Sequence, residues 1–85
     1  MYELIFDPEA IDFLEKAPNQ IAKRIWDKIM FTKENPHHFF ERLKGRKDYK
    51  LRIGDYRAIA DIDDNKKKIE ITLIDHRSKI YKKLN

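Results

Sequence analysis

The chain has 85 residues, 41% apolar and 40% charged, with no cysteine and a formal net charge of +4. That composition suits one small globular domain over residues 1–85 with a single modest core; it is too apolar for a disordered tail and has no run long enough to span a bilayer. The missing cysteines exclude a disulfide framework, a thiolate zinc site and a cysteine nucleophile, and without a basic region followed by an apolar run no secretory signal is expected, which leaves the cytoplasm as the default location.

Tyr2-Glu3-Leu4-Ile5-Phe6 reads as a first strand. Asp7-Pro8-Glu9 then starts a helix, with Asp at the N-cap, Pro at the first helical position and Glu near the positive end of the dipole. This helix is expected to reach about Lys16, with Ala10, Phe13, Leu14 and Ala17 on its apolar side. Pro18 restarts a second helix, whose Ile21, Ile25 and Ile29 repeat at four-residue spacing and whose stripe Ala22, Trp26 and Met30 widen. It ends before Asn35-Pro36. So short a break between two helices makes an αα-hairpin, and its apolar side needs a sheet to cover.

Strands are expected near 47–53, 56–62 and 68–75, separated by Gly54-Asp55 and by Asp63-Asp64-Asn65. Alternation assigns Leu51, Ile53, Tyr56, Ala58, Ala60, Ile62, Ile69, Ile71 and Leu73 to one face. With Ile62 opposite Ile69, the other face carries Lys50, Arg52, Arg57, Ile59, Asp61, Glu70, Thr72, Ile74 and His76. The fold expected is α+β, in the order β-α-α-β-β-β, with a helical hairpin packed on one face of an antiparallel sheet and the other face open.

Charge is distributed unevenly along this order. Residues 1–41 carry five basic and eight acidic side chains, residues 42–85 fourteen basic and seven acidic. The positive field therefore belongs to the second half, and a nucleic-acid backbone is its obvious partner. Within that half Gly54-Asp55 suits a two-residue type II′ turn, which sets Arg52 directly opposite Arg57. Like charges opposite one another destabilise a sheet, so the pair suggests a bound anion such as phosphate. The same register brings His76-Arg77 towards the turn, and Tyr81, four residues beyond Arg77, into the same neighbourhood.

Lys50, Arg52, Arg57, Arg77 and Tyr81 together suit one reaction. In RNA the 2′-hydroxyl can attack its own 3′-phosphate, leaving a 2′,3′-cyclic phosphate and a 5′-hydroxyl. The protein must align the hydroxyl, remove its proton, stabilise charge on the phosphorane and help the leaving oxygen depart. Arginine offers bidentate donors for phosphate oxygens, and tyrosine or lysine can serve as the base. Against this stands the commoner situation for such a composition, a basic sheet that binds nucleic acid without cutting it. His37, His38 and His76 fit solvated or hydrogen-bonded turn positions, and Asp55, Asp63 and Asp64 fit local turn bonding, so no metal or other cofactor is expected. The lysines at 66, 67 and 68 fit a solubilising role beside a turn.

Four segments, Phe6-Asp7-Pro8-Glu9-Ala10, Arg42-Leu43-Lys44-Gly45, the hairpin from Tyr49 to Arg57, and His76-Arg77-Ser78-Lys79-Ile80-Tyr81, together resemble the RelE/ParE superfamily. These are the toxin halves of type II toxin–antitoxin pairs, and the resemblance spans almost the whole chain in order. It has two branches: RelE-like members cleave mRNA in the ribosomal A site, ParE-like members poison DNA gyrase without being ribonucleases. By position the resemblance implies Tyr81 as general base, Arg57 with Lys50 and Arg52 as phosphate and transition-state stabilisers, and Arg77 near the leaving oxygen. Lys44, Arg46, Lys47, Lys79 and Lys82 are the further candidates for contacts to RNA or the ribosome. Arg52 stands where RelE has a lysine, and an arginine is a poor proton carrier; Lys50 is the substitute base should Tyr81 point away. The five residue types together favour the RelE-like branch. The resemblance also implies a RelB-like antitoxin in a hetero-oligomer, with the toxin alone a monomer and no membrane partner; the short segment after Tyr81 argues against antitoxin action by displacement of a C-terminal helix.

Overall fold

The computed structural model describes residues 1–84. Strand β1 (Glu3–Phe6) leads into helix α1 (Pro8–Lys16), then α2 (Asn19–Phe31), which closes in a 3-10 turn at Thr32–Glu34. A one-turn helix α3 (Pro36–Phe39) and the two-residue strand β2 (Glu41–Arg42) precede the meander β3 (Tyr49–Ile53), β4 (Tyr56–Asp63) and β5 (Lys68–His76), and helix α4 (Arg77–Lys83) ends the chain's described part. Asp7 occupies the N-cap of α1 and Pro8 its first position, yet the carboxylate makes no capping bond.

The strands form one sheet in the order β1-β5-β4-β3-β2. From β2 to β5 the neighbours are antiparallel, as expected, but β1 lies parallel to β5, with Leu4 opposite Ile69 and Phe6 opposite Ile71. Side-chain alternation fixes which face a residue occupies and carries no information on strand direction, so the mixed character of the sheet had no signal in the sequence. The helical hairpin covers one face. Its contribution, Ala10, Ile25 and Ile29, is fully buried against Leu51, Ile53, Ala58, Ala60, Ile69, Ile71 and Ile74.

The expected face assignments for β5 are reversed at Leu73, Ile74 and His76. Ile62 does sit opposite Ile69, but Ala60 pairs with Ile71 while Ile59 pairs with Leu73, leaving Thr72 unpaired in a β-bulge. Its hydroxyl donates to the Ile59 carbonyl at 3.2 Å. One extra residue flips every side chain beyond it. Ile74 therefore joins the helix-side core, Leu73 turns to the other face, and Asp75 rather than His76 comes to lie opposite Arg57. The second face is not wholly open either. Leu43, Ile59, Leu73 and Ile80 form a separate buried cluster there, flanked by Leu84, because α4 folds back over the sheet.

Candidate nucleic-acid interface

Gly54 has φ +57° and Asp55 is not in the positive-φ region, which fits the expected type II′ turn. Ile53 pairs with Tyr56 and Arg52 with Arg57, so the two arginines do stand opposite each other. They are handled differently. Arg52 is exposed, with no ion-pair partner among the described residues. Arg57 is only 7% exposed, and its Nη1 donates to the Gly54 carbonyl at 2.7 Å and the Tyr56 carbonyl at 2.8 Å. Arg57 therefore also has a role in the fold, since its side chain ties the hairpin turn together. The Nε and Nη2 edge makes no protein bond among the described residues, and no buried side-chain polar atom there lacks a partner, so that edge retains solvent contact. It is the edge from which a guanidinium makes a bidentate contact to phosphate.

The bulge supplies a carboxylate that the sequence reading did not place here. Asp75 is 6% exposed and lies opposite Arg57. Its Oδ1 accepts from the His76 backbone N–H at 2.7 Å, and its Oδ2 pairs with the Lys83 ammonium. Burial works to raise the Asp75 pKa, but the Lys83 bond, the His76 N–H and the positive charge of Lys79 outweigh it and hold the carboxyl below its usual range. Lys83 therefore belongs to this cluster, although its residue type and terminal position gave no hint of it.

Arg77 reaches the same end of the sheet. Its backbone N–H donates to the Asp55 carbonyl at 2.8 Å, and its Nε lies 3.7 Å from the Asp55 carboxylate, both side chains being largely in solvent. His76 caps the new helix, its Nδ1 accepting from the Ser78 N–H at 3.1 Å. This cap starts α4 at Arg77, one turn before Tyr81, so the two share a helix face. Tyr81 is 42% exposed, and the Lys50 ammonium stands 5.9 Å from its ring centroid. Lys50 and Arg52 are two residues apart on one face of β3, roughly 7 Å along the strand. The hairpin-tip arginines and the Lys50–Tyr81 pair are thus neighbouring parts of one surface.

Of the further RNA-contact candidates, Lys44 and Arg46 line a cleft of about 360 Å³ with Leu43, Lys50, Tyr81 and Leu84. Arg46 is committed within the fold: Nε and Nη2 each lie 2.9 Å from an Asp48 carboxylate oxygen, and Nη1 donates to the Leu84 carbonyl at 3.0 Å. That pairing holds the Asp48 carboxyl below its usual range and pins the 43–48 loop to the end of α4. Lys47 lies beside Asp48 and Asp61. Lys79 points to the other side of α4, into a groove with Phe13, Lys16, Tyr56 and His76. Lys82 is exposed. At Asp61 and Glu70 the face turns acidic: burial and the neighbouring Asp48 and Asp7 raise the Asp61 pKa, and a hydrogen bond with Asp7 raises that of Glu70. Of the histidines, His37 bonds Asp64 at 2.7 Å beside Tyr2, a local role like that of His76. Among the described residues no group of three or more His, Cys, Asp or Glu is placed to hold a metal ion, and no helix is long and apolar enough to cross a membrane.

A mixed five-stranded sheet with a helical hairpin packed on one face places the chain in the fold class of the RelE/ParE toxins. The family described as the ParE toxin of the type II toxin–antitoxin system parDE matches residues 4–81, and the chain belongs to it. Among solved structures the chain is similar to the toxin–antitoxin complex RelBE2 from Mycobacterium tuberculosis, with a TM-score of 0.80, 25% identity and coverage of 89% of this chain and 98% of the other. The isolated RelE toxin of E. coli gives a TM-score of 0.76 at 20% identity with both chains wholly covered, and the RelE–RelB complex of Pyrococcus horikoshii gives 0.75 at 23%, covering 89% and 94%. The last two show likeness of fold. Among curated protein sequences none matches the chain significantly.

Proposed function

We propose that this type II toxin is a ribosome-dependent endoribonuclease that cleaves mRNA in the A site by attack of a ribose 2′-hydroxyl on the adjacent phosphate. The observation that carries the reading is the Arg52–Arg57 pair, kept face to face on a sheet surface that also presents Arg77, Lys50 and Tyr81. The Arg52 guanidinium and the free edge of Arg57 hold the non-bridging oxygens as charge develops on the phosphorane. Tyr81 as the phenolate, its ring beside the Lys50 ammonium, accepts the 2′-hydroxyl proton; the alternative acceptor is Lys50 as the neutral amine. Arg77 stabilises the departing 5′-oxygen. Lys44, beside Lys50 and Tyr81, and the exposed Lys82 add positive charge for RNA and ribosome, whereas Arg46, paired with Asp48, Lys47, beside Asp48 and Asp61, and Lys79, on the other side of α4, lie outside this centre. No cofactor is needed, and residues 1–85 act as one cytoplasmic domain. Several of the similar structures contain a RelB antitoxin, and a RelB-like antitoxin is proposed as the partner that restrains this toxin in a hetero-oligomer.

Mapping of mRNA 5′ ends after induced expression tests the reading. Cuts within codons in translated messages, lost in Arg52→Ala and Arg77→Ala, are expected; intact messages in arrested cells would sink it. A second reading, non-enzymatic poisoning of DNA gyrase, draws support from the parDE description of the family and from the position of Asp75 in register opposite Arg57. Inhibition of supercoiling by the purified toxin, with mRNA uncut, would select it.

A further inference from the structure

Arg24 is the one arginine in the acidic half of the chain, residues 1–41. Helix α2 carries it on the core side of the sheet, yet the fold delivers its guanidinium to the hairpin tip. A Cβ added at Gly54 would lie 2.3 Å from Arg24 Nη2 and 2.9 Å from its Cζ, so the guanidinium rests directly on the bare glycine. The Gly54 carbonyl is the acceptor that holds Arg57. Arg77 sits on the next residue of the same turn, and Arg52 stands opposite Arg57. Three guanidinium groups thus meet a two-residue turn, a fourth, that of Arg52, belongs to the residue in register opposite Arg57, and the four come from three separate segments of the chain. The carboxylates nearby do not balance them: Asp55 faces Arg77, and Asp75 is taken by Lys83. Arg24 is exposed and has no ion-pair partner among the described residues; the carboxylate next to it on α2, Asp27, pairs with Lys23 at 2.7 Å. Nothing in the fold's own stability calls for an unpaired cation beside three others, and an anion lying over the tip relieves the repulsion.

We propose that Arg24 binds a phosphate of the substrate RNA next to the one held by Arg52 and Arg57, so that the strand's path continues over the hairpin tip from the sheet face towards α2. This subsite rests on the reading of the sheet face as an RNA-binding surface and adds to it a contact from the helical layer. Gly54 is part of the arrangement, since the absent side chain lets the guanidinium settle against the turn.

The test is equilibrium binding of a fluorescein-labelled single-stranded RNA dodecamer to the full chain, followed by anisotropy across a potassium chloride series. Arg24→Gln is expected to weaken binding roughly tenfold near 0.1 M salt. It should also make the slope of log K against log salt shallower by about 0.7, the value for one phosphate contact on a single strand. Arg24→Lys should keep the wild-type slope, Lys66→Gln at the opposite end of the sheet should change neither quantity, and the thermal midpoint of Arg24→Gln should match wild type. Equal slopes for wild type and Arg24→Gln, or no RNA binding by wild type, overturn the subsite. So does a loss of affinity in Arg24→Gln that comes with a lowered midpoint and is not restored by lysine, because that marks a structural role. Slope changes that follow the charge at position 24 in a toxin that leaves mRNA uncut retain the subsite and reject the nuclease. Cleavage with an unchanged slope retains the nuclease and rejects the subsite.

Discussion

At Arg57 one guanidinium nitrogen holds two carbonyls of the hairpin turn while the opposite edge makes no protein bond among the described residues and keeps slight solvent contact. Replacement by alanine removes both contacts at once, and hydrogen bonds from a charged donor contribute about 1.5–3 kcal/mol. Arg57→Ala is therefore expected to lower the midpoint of urea unfolding as well as toxicity, so loss of activity in that variant is ambiguous. Arg77→Ala is the cleaner probe. Its ion pair with Asp55 is largely solvent-exposed and worth about 0–1 kcal/mol. Growth arrest on expression should disappear while the thermal midpoint stays within a few degrees; arrest that persists would remove Arg77 from the proposed mechanism. Tyr81→Phe separates the two candidate bases. It keeps the ring beside Lys50 but lacks the hydroxyl, so single-turnover cleavage of ribosome-bound mRNA falls by roughly 10²–10⁴ with Tyr81 as base and changes little with Lys50 in that role.

Elements were legible in the sequence to the degree that local chemistry writes them. The Asp7-Pro8 start, the isoleucine stripe of α2 and the Gly54-Asp55 turn lie where residue type alone puts them, because each depends on neighbours within one or two turns. Helix α4 was not legible; the short segment after Tyr81 bears in the sequence only on antitoxin action by helix displacement, and nothing in the residue pattern marks a helix over Arg77–Lys83. Seven residues make a marginal helix in isolation; this one stands because Ile80 is fully buried against Ile59, Leu73 and Leu43 and because Lys83 pairs with Asp75. Ile80→Ala should cost about 2–5 kcal/mol and release the helix, read as loss of amide exchange protection over 80–84 together with a lowered thermal midpoint. Unchanged protection would mean that the cap at His76 and the polar contacts hold α4 without the apolar cluster. The bulge at Thr72 has the same origin: whether a strand carries one extra residue depends on the register of its partner, and the hydrophobic pattern of β5 fits either register.

Over the whole molecule the sheet's second face divides into a basic end at the hairpin tip and an acidic end around Asp61 and Glu70, and acid titration should report that division. Asp48, Asp64 and Asp75 have pKa values below their usual ones, through bonds to Arg46, to Tyr2 and His37, and, against the effect of burial, to Lys83 and the His76 N–H. Their contribution to stability is complete above the unfolded carboxylate value of about 3.9 and is lost as the pH falls through the folded values. Asp61 and Glu70 are raised, so their contribution is present below the unfolded value and is lost as the pH rises through the folded one. Urea unfolding between pH 2 and 7 should show Asp75→Asn less stable than wild type at pH 7 and nearly equal at pH 2, whereas Asp61→Asn should gain at pH 7. The reverse order would mean that burial rather than the Lys83 pairing dominates at Asp75.

By itself the sequence determined the helical hairpin, the three-strand meander, the opposition of Arg52 and Arg57 and the likeness to the RelE/ParE superfamily, since all of these follow from patterns read along the chain. Only the tertiary structure decided that β1 runs parallel to β5, that Asp75 and Lys83 enter the arginine cluster, that Arg57 is half structural, and that Arg24 crosses from the helical layer to the hairpin tip. The physical reason is the same in each case. Side-chain type and spacing determine local conformation and the buried face, whereas the direction of an edge strand, a one-residue bulge and the reach of a long arginine depend on which distant segments the packed core brings together.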